Sequence, residues 1–136
     1  GYGVIEACGN HLRFLDCGVI KTGGGALPPR LKIIFNELRQ VVQQWPPDEM
    51  AIEQVFLARN PDSALKLGQA RGAAICAVMV DDISVAEYSA NQIKQAVVGR
   101  GHADKSQVQH MIKILLKLNE TPQADAADAL AIAICH

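Results

Sequence analysis

Gln123-Ala124-Asp125-Ala126-Ala127-Asp128-Ala129-Leu130 sets two acids three residues apart in a run of small apolar side chains. If the stretch is helical, Asp125 and Asp128 project from one face. Two like charges that close weaken a helix unless something positive lies between them. A divalent cation is the usual answer, and hard cations such as Mg²⁺ prefer carboxylate oxygens. The continuation Ala131-Ile132-Ala133-Ile134 makes the helix apolar almost all round, so it should pack tightly against a core. A local alternative exists for Asp125, which follows Thr121-Pro122-Gln123 and could serve a helix N-terminus, where negative charge is favourable.

The chain has 136 residues, enough for one domain with a single core. Its net charge of −1 gives no global signal for nucleic acid, so any DNA-binding surface must be local. No run of about 18 apolar residues suggests a membrane span, and no signal peptide is visible. Cys8, Cys17, Cys76 and Cys135 form no CxxC pair and stand in apolar contexts. The expectation is four buried, reduced thiols in a cytoplasmic protein and no zinc site. Residue 1 is Gly, Tyr2-Gly3-Val4-Ile5 reads as strand interior, and His136 falls inside a helical pattern. The chain is therefore expected to be a piece of a longer protein: a single domain over 1–136, truncated at its N-terminus.

Residues 2–8 and 11–20 read as two strands joined at Gly9-Asn10, a tight-turn pair. Thr22-Gly23-Gly24-Gly25 is a flexible connection without the Lys-Ser/Thr of a phosphate loop. Pro28-Pro29 opens a helix whose stripe is Leu31, Ile34, Phe35, Leu38, Val41, Val42 and Trp45. A strand follows over 49–56. Glu53 interrupts its apolar run near the carboxyl end, where open α/β sheets place ligands; on an alternating strand it could also simply face solvent. Asn60 and Pro61 start a helix that runs to about Val80 and carries Ala64, Gly68 and Gly72. Glycine weakens a helix, so close approach of another backbone is expected, within the chain or from a second copy. A strand over 83–88 and a helix from about Asp104 to Leu118 follow. Lys105, Gln109, Lys113 and Lys117 make a drifting basic edge, and with Lys94, Arg100, His102 and His110 nearby in sequence this is the one local basic concentration. It could equally be a solvated face. His136 lies eight residues beyond Asp128 and could share its face.

Several blocks, in order, resemble the RuvC Holliday junction resolvases of bacteria. They are Ala51-Ile52-Glu53-Gln54-Val55-Phe56, the stretch from Asn60-Pro61-Asp62-Ser63 to Ala70-Arg71-Gly72, Val97-Val98-Gly99, Lys105-Ser106-Gln107-Val108-Gln109, and the segment from Gln123 to Ala131. The resemblance implies an α/β, ribonuclease H-like fold with a five-stranded mixed β-sheet flanked by α-helices, its first strand expected before Gly1. It implies a homodimer that cuts two strands of like polarity across a four-way DNA junction with Mg²⁺ or Mn²⁺, two ions per site. Three of four acidic metal ligands map to Glu53, Asp125 and Asp128; the fourth belongs to an Asp-Pro-Gly motif expected before Gly1. Also carried over are an exposed aromatic, Phe56, and two lysines, Lys94 and Lys105. Lys105 would neutralise the scissile phosphate, Lys94 would hold the backbone, and Arg59 and Arg71 are further candidates for phosphate contacts. A branch-migration complex of the RuvA and RuvB type is the implied partner. A catalytically silent junction-binding dimer, or another ribonuclease H-like nuclease acting on RNA or hybrids, are the alternatives.

Overall fold

The computed structural model describes residues 1–54, 60–99, 101 and 103–136. The chain divides into two compact units: Gly1–Val19, Ala51–Glu53 and Ala86–His136 form the first, Ile20–Met50 and Gln54–Val85 the second.

The first unit begins with a hairpin of β1 (Tyr2–Cys8) and β2 (His11–Gly18), antiparallel and closed by Gly9 at φ 59°. Glycine occupies that left-handed conformation without the clash a Cβ would bring. The register slips between Val4 and Ile5: Val4 faces Asp16 and Ile5 faces Phe14, so Leu15 is the extra residue of a bulge. The bulge decides which side chains reach the core. Leu12 and Phe14 alternate inward, and strict alternation would send Asp16 after them. One inserted residue reverses the parity, so Cys17 joins the core instead.

Three helices complete this unit: α3 (Ala90–Val98), α4 (Lys105–Leu115) and α5 (Ala124–Cys135). Two of them start on capping boxes. Ser89 and Gln92 open α3 and Asp104 and Gln107 open α4, each pair exchanging side-chain and backbone hydrogen bonds. Helix α4 stops at Leu115, short of the expected Leu118, because Lys117 turns left-handed at φ 54°. The buried faces of the helices meet at Ile93, Val97, Val108, Ile112, Leu116, Leu130 and Ala131, with Ile5, Leu12 and Phe14 of the hairpin packed against them.

The second unit is built on α1 (Leu27–Gln44) and α2 (Pro61–Met79), which pack along each other. Prolines stand in the first turn of both. Asn60 caps α2, its side chain accepting from the Asp62 amide at 3.0 Å. Arg39 of α1 donates to the Ala77 carbonyl at 2.9 Å and to Asp81 at 2.7 Å, tying α1 to the end of α2. Val42, Val78 and Ile83 form its small core.

Strands β3 (Glu49–Glu53) and β4 (Ser84–Tyr88) pair with each other. The α/β character expected from the sequence is present. The described residues form four strands in two pairs, β1 with β2 and β3 with β4. The cysteine expectation is corrected: Cys8 and Cys76 are exposed, Cys8 beside the hairpin turn and Cys76 on the outer face of α2, while Cys17 and Cys135 are half-buried. All four are free thiols.

Candidate active site

Helix α5 lies directly on strand β1, and the strand's sequence explains why it can. A Cβ added to Gly3 would stand 2.7 Å from Leu130 Cδ2 and 3.0 Å from the Leu130 backbone nitrogen. A Cβ on Gly1 would stand 2.9 Å from the Ala126 nitrogen and closer still to the Asp125 carbonyl. The absent side chains on the strand therefore leave room for the helix backbone and for Leu130. Ala126, Ala127, Leu130 and Ala131 are at most 2% exposed and form the contact face.

At 100° per residue, Asp125 and Asp128 sit about 60° apart and roughly opposite the centre of that face. Both are exposed. The expectation of a helix buried almost all round thus gives way to a helix with one dry face and one acidic face. The local alternative for Asp125 is met through its charge and not through a cap bond. Gln123 is the N-cap, no side-chain cap hydrogen bond forms, and Asp125 stands within the first turn, where the helix dipole favours it. Among the described residues neither carboxylate meets a cation or accepts a hydrogen bond. A pair of anionic oxygens on one helix face without a positive partner fits a hard divalent cation.

Glu53 is the last residue of β3, exposed, and belongs to the same compact unit as the two aspartates. Among the described residues no three His, Cys, Asp or Glu side chains stand close enough together to hold a metal ion by themselves. Lys94 lies half-buried on α3 and Lys105 is the first residue of α4, exposed; among the described residues neither is ion-paired. A lysine at a helix start opposes the dipole, so Lys105 weakens its own helix slightly. The neighbouring Asp104 offsets this. Its carboxylate accepts from the Gln107 amide at 2.8 Å and the Ser106 hydroxyl at 2.7 Å, and those bonds hold it below its ordinary carboxylate value. Of the wider basic edge, Lys105 and Lys113 lie on α4, and Lys117 falls in the turn beyond it.

His136 shares the acidic face of α5 by helical angle but stands about 12 Å along the axis from Asp128. Its ring Nδ1 lies 2.7 Å from the Tyr88 hydroxyl, and the two rings meet edge to face. This contact ties the end of α5 to the last residue of β4. Arg71 lies half-buried on α2, in the second unit. Phe56 and Arg59 lie outside the described residues. The sequence reading missed the work of Gly1 and Gly3. Glycines at alternate positions of a strand are the available signal, since they mark close approach of another backbone.

An α/β chain that lays an acidic helix on a β-hairpin, with a third acid at a strand end, has the layout of a ribonuclease H-like nuclease. The chain belongs to the RuvC family: the family described as crossover junction endodeoxyribonuclease RuvC matches it over residues 1–136. A protein of that name from Pseudoalteromonas atlantica is 62% identical over 136 residues, covering all of this chain and 79% of its own length. The Shewanella baltica protein of that name is 61% identical over the same span. The structure of Thermus thermophilus RuvC in complex with a Holliday junction substrate superposes with a TM-score of 0.92 at 34% identity, covering 98% of this chain and 83% of that one. A second Thermus thermophilus RuvC structure gives 0.84.

Proposed function

We propose that this protein is a structure-selective endonuclease that resolves four-way DNA junctions by paired phosphodiester hydrolysis in recombination and repair. The family match along 1–136 carries the reading, and the acidic face of α5 supplies its chemistry. Glu53, Asp125 and Asp128 would hold Mg²⁺ or Mn²⁺, two ions per site. Bound there, the ions would activate the attacking water and stabilise the leaving oxygen.

The chain's own side chains do the rest. Lys105 neutralises the scissile phosphate, and Lys94 holds the neighbouring backbone. Phe56 stacks on a base at the opened junction centre, an interaction worth roughly 1–3 kcal/mol. Arg59 and Arg71 add phosphate contacts. Activity on cellular DNA agrees with a cytoplasmic enzyme, and a branch-migration complex of the RuvA and RuvB type would be its companion.

Cutting two strands calls for two sites, and α2 supports a homodimer. Leu65, Gly68, Gly72, Cys76 and Met79 fall on one face of that helix by angular position. Leu65 is 66% exposed and Met79 45%. Among the described residues nothing lies within 4 Å of a Cβ placed at Gly68 or Gly72. The close approach expected of those glycines is therefore not met among the described residues, which supports a second copy on that face.

The test is cleavage of a synthetic four-way junction in Mg²⁺, with linear duplex and RNA–DNA hybrid as competitors. Paired nicks and preference for the junction are expected. Binding without cutting would identify a silent junction binder, and loss of the preference would identify a different ribonuclease H-like nuclease.

A further inference from the structure

The second unit holds a cavity of about 310 Å³ between the first turns of α1 and α2. Leu27, Leu31, Ile34, Leu67 and Ala70 give it apolar walls. Thr22, Arg30, Ser63 and Lys66 supply its polar groups. Arg30 is oriented by its Nε, which donates to the Thr22 hydroxyl at 3.2 Å. Among the described residues its terminal guanidinium nitrogens have no partner. Lys66 pairs with Asp62 at 3.1 Å, but both side chains are more than half exposed, so that tie is weak. The first turns of both helices border the space, adding partial positive charge.

We infer that this cavity seats the sugar–phosphate backbone of a junction arm, with Arg30 and Lys66 on the phosphate and the leucines against the deoxyribose. The polarity of the site matches that ligand on both counts. A backbone alternates an anionic group with an apolar ring, and the cavity sets two cations beside aliphatic walls. An isolated phosphate would have no use for the leucines, and an apolar ligand none for the cations. The position on α2 agrees as well. Ser63, Lys66, Leu67 and Ala70 lie on the side of the helix opposite Leu65, Gly68 and Gly72. Pairing of two copies through that second face leaves the cavity open. The inference rests on the junction as substrate and adds a contact remote in sequence from the acidic residues.

The experiment is fluorescence anisotropy of a dye-labelled synthetic junction titrated with the full chain in EDTA over a series of salt concentrations. Arg30→Gln and Lys66→Gln should each raise Kd by about three- to tenfold and lower the salt slope by about 0.9, the value for one lost phosphate contact. Lys32→Gln, on the exposed face of α1 and outside the cavity, should change neither. Asp62→Asn should tighten binding by freeing Lys66, and should do nothing in the Lys66→Gln background. If Arg30→Gln unfolds the loop at Thr22, visible as a lowered melting temperature, Lys66→Gln carries the test alone. Wild-type Kd and slope in Lys66→Gln, or an equal loss in Lys32→Gln, would overturn the site. Junction binding by the unsubstituted protein is read in the same titration, so a failure of the nuclease reading shows separately.

Discussion

Replacing Asp128 by Asn keeps the shape of the side chain and removes its charge. Because Asp128 is exposed on the acidic face of α5, the fold should be unaffected. Junction cutting should fall at least 100-fold while junction binding stays within about twofold, since a cation ligand is lost and no phosphate contact is. Gel-shift and nicking assays on one sample measure both, and retained cutting would remove Asp128 from the site. The thiols divide in the same residue-by-residue way. Burial, and then the Asp16 carboxylate, push the Cys17 thiol up, and burial pushes Cys135 up. A raised thiol value means less thiolate at pH 8. Iodoacetamide should therefore label Cys8 well before Cys17 and Cys135, as peptide mass mapping would show. Cysteine in an apolar stretch looked buried from the sequence. For Cys8 and Cys76 the position in the element, beside a turn or on an outer helix face, outweighed the neighbours.

Helix α5 depends on the strand beneath it. Gly3→Ala would force a Cβ against Leu130, which is fully buried and has no room to move. The expected cost is about 1–3 kcal/mol, read as a lowered urea midpoint, together with slower cutting as the helix lifts. Helix α4 should respond to acid. Asp104 is held below its ordinary value of 3.8, so its capping bonds stabilise the folded state above that pH and are lost as pH falls through the depressed value. Hydrogen exchange at Gln107 should speed up over that acidic range and be unchanged near neutrality. Most elements were legible from periodicity and turn residues: the hairpin at Gly9-Asn10, the proline-led α1 and the Asn60-capped α2. The bulge at Leu15 was not, because an inserted residue changes no composition and shows itself only when two strands are laid in register. The early end of α4 depends on the backbone at Lys117, which no side-chain pattern announces.

Assembly is the prediction for the molecule as a whole. Leu65→Glu places a charge in the middle of the exposed face of α2 and should convert a dimer into monomers by light scattering, with the far-ultraviolet spectrum unchanged. A monomeric wild type would remove α2 from that role. The site itself was legible only in part. Asp125 and Asp128 stood out as a close pair of acids in an apolar run and Glu53 as an acid near a strand end, and the blocks around them carried the family resemblance. The cavity between α1 and α2 gave no warning, since Arg30 and Lys66 lie 36 residues apart and meet only when two helices pack. The glycine contact under α5 has one further result. A helix seated on bare backbone takes its height from atoms that every sequence shares. Mutations can drift through the surrounding hydrophobic layer without raising or lowering the two aspartates. Similarity of shape at 0.92 with only 34% of residues in common is what such a datum plane allows.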